Sequence, residues 1–188
     1  MDWKVTTGPA TEPVTASECK AWAHIDTTAD DTVIGQMLIA AREWAEQYTN
    51  RAFITQSITS KLDAWTNPII IPQPRLITVT SINYIDQDGT SQLLSTGVYD
   101  VDVTSEPGEI FLKYNQTWPT LRGDHHGITI VTTNGYGAAT VVPTRIKSAI
   151  MMLVANMDIN REATSAVQLH EVPFAVKNLL GIDRIVTI

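Results

Sequence analysis

Apolar residues recur at helical spacing near both ends of the chain and at strand spacing between them. Val33, Ile34, Met37, Leu38, Ala41, Trp44, Ala45 and Tyr48 fall on one face of a 3.6-residue period. They predict a helix that starts at Thr28 or Asp30 and ends near Asn50, with Asp30 and Asp31 at its positive end. Ahead of it, Thr15-Ala16-Ser17-Glu18 has the form of a capping box: a threonine hydroxyl at the cap and a glutamate three residues on that can reach back. Val14 and Cys19 occupy the staple positions, and Cys19, Trp22 and Ala23 are predicted to share a buried face of a short helix ending near His24. Within residues 40–56 the period changes. Ile54, Gln56, Ile58, Ser60 and Leu62 partly alternate, and Ile77, Val79, Ser81, Asn83 and Ile85 oppose Thr78, Thr80, Ile82 and Tyr84. Asp86-Gln87-Asp88-Gly89 carries a hairpin turn signal, and Glu106-Pro107-Gly108 marks another turn. Further strands are predicted at Ile69–Ile71, Leu93–Leu94, Val98–Val103, Ile110–Lys113 and Ile128–Thr132.

Helical spacing returns after Val142-Pro143, proline being tolerated in a first turn. Ile146, Ala149, Ile150, Leu153, Val154 and Met157 make the stripe, and Met151 and Met152 widen it, so this helix is expected to pack on more than one side. Thr164 to His170 is polar. A last helix is predicted from Pro173 through Leu180 with Gly181 at its cap, followed by a strand-like tail, Ile182 to Ile188. The expected fold class is α+β: a helical bundle with an inserted antiparallel β-rich subdomain, either a small sheet or a barrel. The expected division is 1–52 (N-terminal helices), 53–141 (β subdomain) and 142–188 (C-terminal helices and tail, one bundle with 1–52). The expected bundle core is Trp22, Ile34, Leu38, Ala41, Trp44, Tyr48, Ile146, Ile150 and Leu153.

Composition narrows the function classes. The chain has 188 residues, 44% of them hydrophobic, which fits one globular domain with a small subdomain. A net charge of −7 argues against a surface that binds DNA by neutralising phosphates, but suits a wall that a polyanion must not stick to. Residues 1–50 hold eight acids and three bases, whereas residues 141–188 hold four acids and five bases. The single cysteine, Cys19, allows neither an internal disulfide nor a cysteine-based zinc site, and fits synthesis in a reducing cytoplasm. The first residues lack the apolar core of a signal peptide, and no apolar run is long enough to span a membrane.

Candidate chemistry is sparse. Asp124, His125 and His126 are the nearest approach to a metal cluster, but adjacent histidines on a strand would face apart, so a polar loop is the expectation and no metal site is assigned. His24 and His170 have no partner motif. Asn134-Gly135-Tyr136-Gly137 lacks the Lys-Ser/Thr pair and following helix of a phosphate loop and is expected to be a strand-ending turn. No Gly-x-Ser-x-Gly elbow occurs. Asp100 and Asp102 would share a strand face as a glycosidase pair does, a solvated face being the default. No catalytic residue and no cofactor is therefore expected. Trp65 and Trp118 lie near asparagine or proline in loops, as interface anchors or as local packing under a loop. The tail has two open readings: Ile182, Ile185, Val186 and Ile188 pack on their own subunit, or they add as a strand to a partner.

An ordered set of short pieces then resembles the head-to-tail connector (adaptor, head completion) proteins of long-tailed phages, in their longer form with a β-rich insertion. The pieces are Glu12-Pro13-Val14-Thr15 with Glu18; Ala40-Ala41-Arg42 with Trp44, Glu46, Tyr48 and Thr49; Arg51-Ala52 and Gln56; Leu62-Asp63; Val79-Thr80-Ser81-Ile82 with Tyr84; and Asp86, Asp88 and Gly89. Tyr99 to Asp102, Trp118-Pro119, Gly135-Tyr136-Gly137, Val142-Pro143, Ile146-Lys147, Ala149-Ile150, Asn160-Arg161-Glu162 and Val172-Pro173-Phe174 complete it, so the resemblance runs from about residue 12 to 180. The tail after Gly181 has no counterpart pattern.

The resemblance implies a structural virion protein rather than an enzyme. It would form a homo-oligomeric ring, usually about twelve copies, beneath the portal protein in the neck between capsid and tail. Such a ring extends the channel through which double-stranded DNA passes without specific binding, and it offers a docking surface to a stopper or tail terminator protein. On this reading the helices form the ring wall, and Ile182, Arg184, Ile185, Val186 and Ile188 are the expected portal contacts. Two alternatives stand beside it: a neck or tail-completion protein one ring further down, and a carbohydrate-binding or hydrolytic β-domain using Trp65 or Trp118 as a platform.

Overall fold

The computed structural model describes residues 1–161 and 174–185. Among these residues, four α-helices and two antiparallel sheets make an α+β fold. By contacts it divides into two compact units, one of residues 1–10 with 55–136 and one of residues 11–54 with 137–188.

In the helical unit, α1 (Ala16–Ala23) starts at the capping box: the Glu18 N–H donates to Thr15 Oγ1 at 3.2 Å and the Thr15 N–H to Glu18 Oε2 at 2.6 Å. Val14 and Cys19 are buried beside it. His24 ends the helix in the left-handed region, φ 56°, its N–H on the Lys20 carbonyl. Helix α2 (Asp31–Thr49) follows Asp30 and ends at Asn50, again left-handed, φ 59°. Helix α3 (Thr144–Ile159) follows Pro143, and α4 (Phe174–Gly181) comes last. Helix α3 packs against α1, α2 and α4. Ile34, Leu38, Ala41 and Ala45 of α2 meet the core with Ile146, Ala149, Ile150, Leu153 and Val154 of α3, and Val176 and Leu180 of α4 are buried too.

Three expected core positions sit differently. Trp22 is 45% exposed; Cys19 is the buried residue of that eight-residue helix. Trp44 and Tyr48 are only half-buried. They stack on each other one turn apart, ring centroids 5.3 Å apart and 8° from parallel.

The β unit holds a five-stranded sheet of order β1-β2-β8-β4-β5 and a three-stranded sheet of order β3-β7-β6, rather than a single sheet or barrel. The strands are β1 (Asp2–Thr7), β2 (Gln56–Leu62), β3 (Ile69–Ile70), β4 (Leu76–Ile85), β5 (Ser91–Leu93), β6 (Tyr99–Asp102), β7 (Glu109–Leu112) and β8 (Ile128–Asn134). Residues 1–10, read from sequence with the helices, belong by contacts to this unit through β1, an edge strand paired with β2. Every residue of β1 is exposed, so it has no buried stripe for a sequence pattern to reveal.

Central β2 and β8 keep strict alternation, which fixes their register: Leu62 lies opposite Ile128 and Ile58 opposite Thr132. Strand β4 breaks alternation because its ladder with β8 shifts register twice, between Leu76 and Thr78 and between Val79 and Ser81. Ile77 is therefore exposed and Ile82 buried. Asp86 closes the β4–β5 hairpin, its Oδ1 accepting from the N–H groups of Asp88 (3.1 Å) and Thr90 (2.8 Å), with Gly89 at φ 83°. Ile69, Ile71, Ile82, Ile110, Ile128 and Ile130, all without exposed surface, anchor the core of this unit.

Candidate functional site

Among the described residues the sequence candidates are engaged in other contacts. Asp102 is spent on its own turn, accepting from the Ser105 hydroxyl (2.5 Å) and the Thr104 N–H (2.7 Å), and these bonds hold its carboxyl below the usual range. A general acid needs the opposite shift. Asp100 pairs with Lys113 at 3.6 Å. Trp65 and Trp118 stack face to face, 4.7 Å between centroids and 8° from parallel, against the β core. Trp65 Nε1 donates to the Pro119 carbonyl at 2.9 Å, and Tyr84 meets its edge. One face of each ring is thus turned on the other. Gly135 and Gly137 adopt φ 126° and 109° in the turn that ends β8.

Asp124, His125 and His126 lie in a turn and not on a strand. His126 is left-handed, φ 58°, and this undoes the alternation that would have parted the two rings. The imidazoles stack at 3.8 Å. Asp63, just past β2, joins them: its Oδ1 lies 2.9 Å from His125 Nδ1 and accepts from the His126 N–H at 2.6 Å. His126 Nε2 lies 2.9 Å from Asp2 Oδ2.

The helical unit is organised around two polar clusters that the apolar pattern did not signal. Arg42, buried in the middle of α2, bonds Glu46 Oε2 through Nη1 and Glu12 Oε2 through Nε, both at 2.8 Å. Glu46 Oε1 in turn accepts from the Phe53 N–H at 2.7 Å, pinning the chain as it leaves the helix. Burial raises the Glu46 carboxyl, and the Phe53 N–H and Arg42 hold it down in part. The sequence did contain a signal: a charged pair at i,i+4 on the inner side of α2 has to be matched internally.

The second cluster holds the tail. Asp183 is buried under Arg145, and its carbonyl accepts from Arg51 Nε at 2.5 Å. The Ile185 N–H bonds the Thr49 carbonyl at 3.0 Å, and the Arg184 guanidinium lies 4.9 Å from the Tyr48 ring centroid. So of the expected portal contacts, Arg184 and Ile185 are seated on the chain's own α2, whereas Ile182 is 72% exposed. Val186 and Ile188 lie outside the described residues, as do Pro173 and the polar stretch Thr164 to His170.

A family model described as "Head completion protein" matches residues 12–168. The chain belongs to the head completion protein family. The match takes in Glu12, Arg42, Glu46, both tryptophans and the histidine turn, and stops short of the tail cluster at Asp183. No curated protein matches the chain. Among solved structures, it is similar to a chain of "Neck of empty GTA particle computed with C6 symmetry", GTA standing for gene transfer agent, with TM-score 0.80 and 21% identity. It is similar to a chain of "Virion of native gene transfer agent (GTA) particle" with TM-score 0.81 and 21% identity, and to one of "Neck of native GTA particle computed with C12 symmetry" with TM-score 0.76 and 22% identity. Each likeness covers 100% of this chain and 97% of the other, so this head completion family member shares its fold with those chains. No helix among the described residues is long and apolar enough to cross a membrane.

Proposed function

We propose that this chain is a connector subunit of a virion neck, closing with identical copies into a ring of about twelve beneath the portal protein. The ring lengthens the DNA channel and offers its far face to a stopper or tail terminator. The chain is made in the bacterial cytoplasm, works in the particle between capsid and tail, and catalyses no reaction. The observation that carries this reading is membership of the head completion family, with a fold similar to that of chains from neck structures computed with six-fold and twelve-fold symmetry.

Three features support it. The net charge of −7 suits a wall along which DNA slides without sticking. Trp22, Ile39 and Ile159 of the helical unit are exposed apolar side chains of the kind a neighbouring subunit covers. The exposed Ile182 stands beside a firmly seated Asp183, which holds that apolar side chain in place on the helical unit. Ile182 with residues 186–188 is the proposed portal contact, Arg184 and Ile185 serving to aim it.

The test is co-purification with portal and stopper, each offered separately. The reading expects capture by portal, weakened when the chain is cut after Ile185. Capture by stopper alone would move the protein one ring down, and capture by neither would overturn the connector role.

A further inference from the structure

We propose that Asp63, His125 and His126 form a binding site for a divalent transition ion of the zinc class. The three side chains offer one carboxylate oxygen and two imidazole nitrogens, and these atoms all lie within 4.8 Å of one another. Nitrogen with a single carboxylate selects zinc, nickel or copper over calcium or magnesium, which take oxygen. A tetrahedral zinc site sets its ligand atoms about 3.4 Å apart, so the widest of the separations closes by up to about 1.4 Å, and the 2.9 Å pairing of His125 Nδ1 with Asp63 Oδ1 gives way to ligation. Exposed side chains can make that movement by rotating about their χ angles, and His125 is 76% and Asp63 63% exposed.

The backbone has already done the costly part. The left-handed turn at His126 puts both rings on one side. The His126 N–H on Asp63 Oδ1 ties that turn to the end of β2, and a carboxylate that accepts one N–H still has lone pairs to offer an ion. His126 Nε2 exchanges its bond to Asp2 for the ion, and water fills the fourth position. The site spans two neighbouring strands where their ladder ends: Asp63 follows Leu62, and Leu62 pairs with Ile128, two residues after His126. A bound ion is therefore a clip across β2 and β8, and it stabilises the β unit by linkage.

The experiment titrates zinc chloride into the full-length, tag-free, chelator-treated chain by calorimetry, with thermal unfolding as a second readout. One equivalent of zinc should bind saturably and raise the unfolding midpoint. His125→Ala, His126→Ala and Asp63→Asn should each weaken binding by at least about tenfold and remove the thermal shift. Asp63→Asn keeps an acceptor for the His126 N–H, which separates loss of a ligand from loss of the turn. His24→Ala should bind as the parent does. The proposal is overturned if no saturable binding occurs, or if the His125 and His126 variants, shown to be folded by circular dichroism, bind zinc as tightly as the parent.

Discussion

Arg145 holds the carboxylate of Asp183 in a two-point grip, Nε to Oδ2 at 2.5 Å and Nη2 to Oδ1 at 2.6 Å. The fork geometry matches only arginine with a carboxylate. Asp183 is 6% exposed and two residues past α4, so the pair fixes the segment just after that helix on the helical unit. Asp183→Ala is expected to cost about 2 kcal/mol in denaturant unfolding, the range of a hydrogen-bonded charge. Arg145→Lys should recover less than half of the loss, because an ammonium cannot make both bonds. Wild-type stability in Asp183→Ala would show the pair to be idle.

The tail cluster also separates two truncations. Ending the chain after Ile185 keeps the Asp183 pair and the Ile185–Thr49 bond, and it should melt within a few degrees of the full chain. Ending it after Gly181 removes both and should melt markedly lower. Equal melting of the two would mean that residues 182–185 do not hold the helices together.

Cys19 is 1% exposed, and burial, with Glu18 beside it, pushes its thiol up to about 11. The thiolate that attacks disulfide reagents is then scarce at neutral pH. An aromatic disulfide reagent should label the native chain far more slowly than the guanidinium-unfolded chain, which should take up one equivalent for its single cysteine. Fast labelling in native buffer would contradict the packing of α1 on α3.

Acid should destabilise the protein. Asp63 is held low by the His126 N–H, Asp86 by the Gln92 side chain and then the Thr90 N–H, and Asp102 by the Ser105 hydroxyl, all below the ordinary aspartate value of 3.8. Folded values below the unfolded ones mean that the unfolded chain binds more protons in this window. Their contribution is thus complete above about pH 5 and is lost as pH falls through the folded values. Glu46 has the opposite sign, because burial raises it. The thermal midpoint should fall from pH 5 to pH 3, and Asp86→Asn should fall less steeply. A midpoint flat over that range would refute these turn bonds.

The helices were legible in the chain because their signals are local. The box at Thr15 and Glu18 and the spacing from Ile34 to Tyr48 depend on neighbours within one or two turns. What escaped depends on distant partners or on unusual backbone. Strand β1 pairs with β2 more than fifty residues away and buries no face of its own. The β4 bulges shift the face on which Ile77 and Ile82 lie. The histidine turn hinges on one positive φ at a non-glycine residue, which composition does not announce. Trp65 and Trp118, more than fifty residues apart, gave no hint that each is the other's packing partner.

Closure of identical copies around an axis is visible by electron microscopy of the purified protein mixed with its portal. A ring-forming connector adds a layer of density to the portal, one copy per portal subunit, with the α+β fold of this chain fitting each copy. Portal particles indistinguishable from those without the protein, or density of a single unrepeated copy, would contradict it.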